Sequence, residues 1–238
     1  MPLGNLVGKN KMALLTKLSQ VLTTDISTDF MFKKKKTEFT EYSLLDDMKK
    51  RRSVYKLSNR VIQSREYLTD LIKEAVHCCP SVLNSQSVRV VILYEDTHYQ
   101  FWQLVKEVQR TQVPAHIYEG VALKVDRCAE AYGTVLFFED QEIVKNLQKQ
   151  KPLQAEEFKR WSEQTSGMAQ FAVWTALSSI ELGASLHHYN PAINTELTTF
   201  LQLPKSWELK AQLIFGSILV APEPKERKED DVLFRVFF

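Results

Sequence analysis

The stretch from Ser166 to Gly183 constrains this chain more than any other, because it reads as a helix with almost no wet side. Met168, Phe171, Ala172, Thr175, Ala176, Ser179 and Leu182 recur at helical spacing as one apolar or small face, and Trp174 adds bulk beside it. An ordinary surface helix carries a single apolar stripe. A helix that is apolar nearly all round must be covered from several directions, so the rest of the chain has to wrap it. Gly183 stands where a C-terminal cap belongs.

The chain has the material for such a wrapping. Its 238 residues suffice for one domain with a full core, and its 44% apolar and 25% charged residues are ordinary for a globular protein. Val88 to Tyr94 is a near-continuous β-branched run, and Gly133 introduces Thr134-Val135-Leu136-Phe137-Phe138. Runs of this kind are strands buried on both faces. Leu209, Ala211, Leu213 and Phe215 alternate with Lys210, Gln212 and Ile214, which predicts a further strand ended by Gly216. Leu186-His187-His188-Tyr189 is a short extended piece before Asn190-Pro191.

Helices fill most of the remainder. A short one leads into Arg51. Another spans Arg65 to Cys78, with Ser64 as its cap, Glu66 in its first turn and Leu68, Leu71, Ile72, Ala75, Val76 and Cys79 inward. A third covers His98 to Arg110, with Phe101, Leu104, Val105 and Val108 inward. Residues 111–120 read as a loop, followed by a short amphipathic segment to Ala131. Helical patterns follow over Gln141 to Lys149, Ala155 to Trp161 and Glu196 to Leu201. Trp161, Trp174 and Trp207 are assigned to core or interface. At the C-terminus Val232, Phe234, Val236 and Phe238 alternate as a strand, an edge that a partner subunit would cover. The fold class is α+β, with four or five strands.

Residues 1–38 differ in texture and end in Lys33-Lys34-Lys35-Lys36, which reads as a poorly ordered, solvated basic extension ahead of a domain over residues 39–238. Association with nucleic acid through those lysines is the weaker reading, since a net charge of +2 is too small for a nucleic-acid protein. No apolar stretch is long enough to span a membrane, and no signal-peptide pattern stands at the start. Three cysteines, Cys78 and Cys79 adjacent among them, make no disulfide framework, so a reducing compartment, the cytoplasm, is expected. Cys78 and Cys79 fall on an apolar stripe and are expected to pack rather than to do redox chemistry.

Two basic clusters carry the first functional signal. Arg51-Arg52-Ser53 closes the first helix pattern, and Lys225-Glu226-Arg227 follows the last long strand. A dianionic phosphate needs cations and N–H donors converging from different segments, because one flexible side chain pins it poorly. If the fold brings both ends together, they clamp a phosphate-bearing cofactor, and Asn84-Ser85-Gln86 adds an amide-rich loop. A solvated helix end and a mixed-charge loop are the plain alternatives. His187-His188 does not make a metal site, because neighbours on an extended segment point to opposite sides. No zinc helix, nucleophile elbow, Walker loop or dinucleotide fingerprint is present.

RRSVYKLS (51–58), PSVLNSQSVR (80–89), YGTVLFFED (132–140), GMAQFAVWTALSSIELGASLHHYNP (167–191), LKAQLIFG (209–216) and PKER (224–227) together resemble the nitroreductase family, in its fatty-acid-repression-mutant-like branch. The resemblance implies a mainly antiparallel central sheet flanked by helices, in an intertwined homodimer with FMN at the interface. It implies ping-pong hydride transfer from NAD(P)H to nitroaromatic, quinone or similar small acceptors, with the flavin rather than a side chain as the reacting group. Arg51, Arg52, Ser53, Lys225 and Arg227 are the implied grip on the phosphate and ribityl chain. Ser81, Asn84 and Gln86 are implied contacts from the partner subunit. Leu186, His187, His188 and Tyr189 are implied to pass over the ring, with His187, His188 or Tyr189 as substrate contacts. Tyr55 departs from the pattern, since many members carry a basic residue there, near flavin N1; Lys225 or Arg52 is then the candidate cation. That departure favours the alternative of a flavin-binding, redox-sensing or regulatory module with little turnover.

Overall fold

The fold is given by a computed structural model that describes residues 44–238, so the basic extension expected over residues 1–38 lies outside the described residues. The chain runs α1 (Leu44–Lys50), β1 (Leu57–Ser58), α2 (Arg65–His77), β2 (Val88–Tyr94), α3 (Glu95–Gln112), α4 (Ala115–Ala129), β3 (Gly133–Asp140), α5 (Gln141–Gln150), α6 (Ala155–Ser179), β4 (Leu182–His187), α7 (Asn194–Phe200), β5 (Trp207–Ile218) and α8 (Asp230–Leu233). Short 3-10 turns lie at Val82–Asn84 and Pro152–Gln154.

The sheet has five strands in the order β1-β5-β3-β2, with β4 also paired to β5, and every pairing is antiparallel. β3 is buried over its whole length because both faces of the sheet are covered. Leu136 and Phe138 pack on one side with Phe101, Trp102 and Val105 of α3 and Val125 of α4. Val135 and Phe137 pack on the other with Leu68 and Ile72 of α2 and Ala169, Val173 and Leu177 of α6. The unbroken apolar run of β3 is the sequence trace of this two-sided burial. Ser64 caps α2 as expected, its hydroxyl accepting from the Tyr67 N–H at 3.2 Å.

Under β3 runs a buried polar chain. The Trp102 indole N–H donates to Thr134 Oγ1 at 2.9 Å, and Thr134 lies 2.8 Å from His98 Nδ1. His98 Nε2 in turn lies 3.2 Å from the Ala129 carbonyl. The set is satisfied only with a neutral His98, whose Nε2–H donates to that carbonyl while Nδ1 accepts from the Thr134 hydroxyl. Burial lowers the His98 pKa to about 4, in keeping with that arrangement.

Several expectations need correction. The segments Ala155 to Trp161 and Ser166 to Gly183 are one 25-residue helix, α6, which ends at Ser179. Its deepest stripe is Phe158, Ser162, Thr165, Ala169, Val173 and Leu177, while Met168 and Phe171 are exposed. Gly183 is a strand residue rather than a cap: a Cβ there would lie 2.8 Å from both Leu57 Cδ2 and Ile218 Cγ1. The loop expected over 111–120 shrinks to Val113 and Pro114, because α4 starts at Ala115. Cys78 is exposed at the end of α2, and only Cys79 packs against the core. Within this chain Val232 to Phe238, expected as a strand covered by a partner subunit, pairs with no strand; the helical turn Asp230–Leu233 takes in Val232 and Leu233, and Phe234 behind it is extended. A strand needs an edge to pair with, and this segment pairs with none here.

Candidate functional site

Residues 51–58 are stitched between β4 and the end of β5. Ser53 bridges Ala184 in parallel fashion, the Val54 N–H donates to the Ala184 carbonyl at 2.9 Å, and the Leu219 N–H donates to the Lys56 carbonyl at 3.1 Å. The Arg52 guanidinium donates to the Glu223 carbonyl, 171 residues away in the sequence. The two basic clusters therefore converge. Arg51, Arg52, Ser53, Tyr55, Lys56, Glu223 and Lys225 share a cavity of about 510 Å³. Arg227 is exposed in the same C-terminal segment but is not among that cavity's lining residues.

Arg51 is the most constrained of these cations. Its guanidinium carbon sits 4.4 Å from the Trp174 ring centroid and 5.8 Å from that of Phe171, so α6 supplies a cation–π floor. Burial, and then the neighbouring charge of Arg52, lower its pKa. Its Nε is buried without a hydrogen-bond partner. Clustered guanidinium and ammonium groups with a spare buried donor are the donor set of an oxyanion site.

Tyr55 also lines a second cavity, of about 620 Å³, with Lys124, Arg127, Cys128, Leu186, His187, His188, Tyr189 and Ile214. The His187 and Tyr189 rings are nearly parallel, 12° apart at 6.2 Å, and the Trp102 edge meets both, at 5.9 and 5.7 Å. His187 Nε2 is 3.0 Å from Ser185 Oγ and 3.6 Å from Cys128 Sγ. Burial, then the nearby His188, lower the His187 pKa to about 4, while burial pushes the Cys128 thiol and the Tyr189 phenol up to about 12. All three are therefore uncharged at neutral pH. Buried Gln212 holds the exit from β4, accepting from the Tyr189 N–H at 2.8 Å and donating to Asn190 Oδ1 at 3.2 Å.

Ser81, Asn84 and Gln86 line a third cavity of about 390 Å³, with His77, Arg89 and Thr165. It shares no lining residue with the other two. The loop is strained: Leu83, Asn84 and Gln86 take left-handed φ values of 49°, 53° and 47°. Ser81 fastens it, its carbonyl accepting from the Asn84 N–H and its hydroxyl from the Gln86 N–H, both at 3.0 Å.

The structure thus gathers Arg51, Arg52, Ser53, Tyr55 and Lys225 around one cavity. It gathers Leu186, His187, His188 and Tyr189 with Tyr55 around the next, and leaves Ser81, Asn84 and Gln86 apart. Sequence reasoning missed Lys124, Arg127 and Cys128. The apolar spacing of Val121, Val125 and Cys128 was the available signal, since it fixes the faces of α4 once that segment is read as a helix.

An antiparallel sheet covered on both faces by helices, with a cationic cavity where residues 51–56 meet residues 220–225, defines an α+β fold. The nitroreductase family model matches residues 48–217, and the chain belongs to that family of oxidoreductases. It is 33% identical over 186 residues to nitroreductase FRM2 of Saccharomyces cerevisiae, covering 76% of this chain and 91% of that one. It is 35% identical over 162 residues to putative nitroreductase HBN1 of the same yeast, covering 68% and 78%. Among solved structures, nitroreductase CinD from Lactococcus lactis in complex with chloramphenicol superposes with a TM-score of 0.76 at 40% identity, covering 82% of this chain and all of that one. A putative nitroreductase from Desulfovibrio desulfuricans in complex with FMN shares the fold at 23% identity, with a TM-score of 0.61 over 84% of this chain and 99% of that one.

Proposed function

We propose that this chain is an FMN-dependent NAD(P)H oxidoreductase that acts by a ping-pong route on nitroaromatic, quinone or similar small acceptors. The observation that carries this reading is the cavity where Arg51, Arg52, Ser53, Lys56 and Lys225 converge, with the Arg51 Nε buried and unpartnered. That donor set fits the phosphate of FMN. When bound, FMN supplies two-electron chemistry, taking a hydride from NAD(P)H and passing it to the acceptor.

The chain's own residues bind and orient. Arg51, Arg52 and Lys225 hold the phosphate, Ser53 adds a hydroxyl, and Arg227 follows in the same segment outside the cavity lining. Tyr55 lies between the phosphate cavity and the aromatic one, so a ligand anchored in the first extends over Tyr55 into the second. Leu186, His187, His188 and Tyr189 form the wall there. Asn84, Gln86 and Ser81 serve the flavin of a second subunit in a homodimer, which accounts for their separate cavity. The free thiols agree with a cytoplasmic home, and among the described residues no helix is long and apolar enough to cross a membrane.

The purified protein should be yellow and should bleach anaerobically with NAD(P)H. A protein that takes up no FMN when offered it ends the proposal. The double variant Arg51→Ala, Lys225→Ala loses two charge-assisted contacts of about 1.5–3 kcal/mol each, so FMN affinity should fall at least about a hundredfold. Unchanged affinity removes the site assignment. Tyr55, in place of a basic residue, favours the second reading, a flavin-binding sensor with little turnover. A bound flavin that NAD(P)H cannot reduce would support it.

A further inference from the structure

We infer that Glu139 is a positioning residue for the loop that carries Ser81, Asn84 and Gln86: neutral, it leaves Arg89 fastened to the Gln86 carbonyl, and ionised, it draws Arg89 away and loosens the loop. This deepens the proposed function, on which it rests for the loop's part in holding flavin. β3 is a central strand, and Glu139 stands on it opposite Val88 of β2 and Glu208 of β5. It has no solvent exposure, and among the described residues neither of its carboxylate oxygens meets a hydrogen-bond donor. The loop rejoins the sheet at this point. The Asp140 N–H donates to the Ser87 carbonyl at 2.9 Å, and Ser87 itself is buried beside Glu139.

One guanidinium ties the loop to the sheet. Arg89 donates from Nη1 to the Gln86 carbonyl at 2.7 Å and from Nη2 to Asp140 Oδ2 at 3.2 Å. Gln86 has a φ of 47°, a conformation that persists only where the surroundings hold it. Its N–H is held by the Ser81 hydroxyl and its carbonyl by Arg89.

An ionised carboxylate buried without a partner costs far more than re-aiming one half-buried side chain, so the most easily freed cation turns to it. The charged groups around Glu139 are Arg89 of β2, Asp140 of β3, and Lys210 and Glu208 of β5, with Glu163 of α6 behind Lys210. Lys210 is held by two carboxylates, Glu208 at 2.9 Å and Glu163 at 3.9 Å. Arg89 is held by one carboxylate and by neutral carbonyls, so the bond it gives up is the one to Gln86. Burial raises the Glu139 pKa to about 7, which puts the exchange in the neutral range, with the loop held below it and loosened above.

The test follows amide exchange of residues 82–86 by mass spectrometry in the full chain, FMN-loaded and FMN-free, at pH 6 and 8.5. Protection is taken relative to the intrinsic exchange rate at each pH. It should fall about tenfold at the higher pH, as loss of one charge-assisted hydrogen bond implies. Glu139→Gln should keep protection high at both pH values, and Glu139→Asp, which still titrates, should keep the fall. Arg89→Gln should leave the loop poorly protected at both. His77 of α2 also lines the loop's cavity, and His77→Gln should leave the fall in place. Equal protection of the unaltered protein at both pH values, full protection in Arg89→Gln, or a fall that survives Glu139→Gln overturns the inference. So does a fall lost in Glu139→Asp or in His77→Gln. The FMN dissociation constant, read by flavin fluorescence, should rise about tenfold over the same range and stay flat in Glu139→Gln. An FMN affinity that ignores the loosening removes the loop from the flavin site and overturns the positioning role. A loop that loosens with pH in a protein that takes up no FMN upholds the link from Glu139 to the loop and ends the proposed function. FMN uptake with a loop that does not respond to pH does the reverse.

Discussion

Glu139→Gln should stabilise this protein at alkaline pH and change it little at pH 5. Glu139 sits near the end of β3 with no solvent exposure, and neither carboxylate oxygen meets a donor at hydrogen-bonding geometry, although Ser87 lies beside it. The two cations that attract it are committed elsewhere. Arg89 pairs with Asp140 at 3.2 Å and with the Gln86 carbonyl at 2.7 Å, and Lys210 pairs with Glu208 at 2.9 Å. Burial therefore dominates and raises the Glu139 pKa from 4.5 to about 7. Between those values the folded chain holds a proton that the unfolded chain has released. The contribution is thus fully present below pH 4.5 and is lost as pH rises through about 7. The loss amounts to about 3 kcal/mol by pH 8.5 and about 1 kcal/mol at pH 5. Glutamine keeps the shape of the protonated acid and does not titrate. Urea unfolding of both proteins at pH 5 and 8.5 measures the difference directly. A variant destabilised by the same amount at both pH values would refute the reasoning, because it would mean that the carboxylate has a partner that glutamine cannot replace.

Thr134→Val conserves volume but strips the hydroxyl that accepts from Trp102 and bonds to His98. Two buried polar groups lose their partner at about 1–3 kcal/mol each, so the denaturation midpoint should drop well beyond the effect of an ordinary surface change. Gly183→Ala places a methyl 2.8 Å from Leu57 Cδ2 and from Ile218 Cγ1, and 3.1 Å from Val54 Cβ. Overpacking of this kind costs about 1–3 kcal/mol, and a thermal midpoint equal to that of the unaltered protein would contradict the packing described.

Much of the fold was legible because the decisive signals are local. β2 announces itself as a near-continuous β-branched run and β3 as an apolar one, and Ser64 caps α2 through a bond that spans only three residues. Gly183 misled for the opposite reason. Locally it resembles a helix terminator, but its role is set by Leu57, Val54 and Ile218, which arrive from distant segments. α6 looked like two helices because hydroxyl residues interrupt its apolar pattern. Those hydroxyls bond back into the helix itself, Ser162 to the Lys159 carbonyl at 2.9 Å and Thr165 to the Trp161 carbonyl at 3.0 Å, so they need no water and the helix runs on. The alternation of Val232 to Phe238 is only permission to form a strand: within this chain the segment meets no edge, so Val232 and Leu233 join a helical turn and the backbone turns extended at Phe234.

The site was legible in its residue types and not in its assembly. Arginines and lysines at 51, 52 and 225 state a taste for anions, whereas the Arg52 bond to the Glu223 backbone, the Trp174 floor under Arg51 and the approach of α4 depend on the finished fold. The Ser81 loop carries the sharpest instance. Left-handed backbone at Leu83, Asn84 and Gln86 costs of order 1 kcal/mol or more at each position, and glycine would relieve it without steric penalty. The chain nevertheless places side chains there. Leu83 is an exposed apolar residue, while Asn84 and Gln86 face a cavity that the basic clusters do not reach. Strain of this kind persists where the side chains it presents are used. In the homodimer proposed above, this loop would reach a ligand held at the other subunit's Arg51 and Lys225.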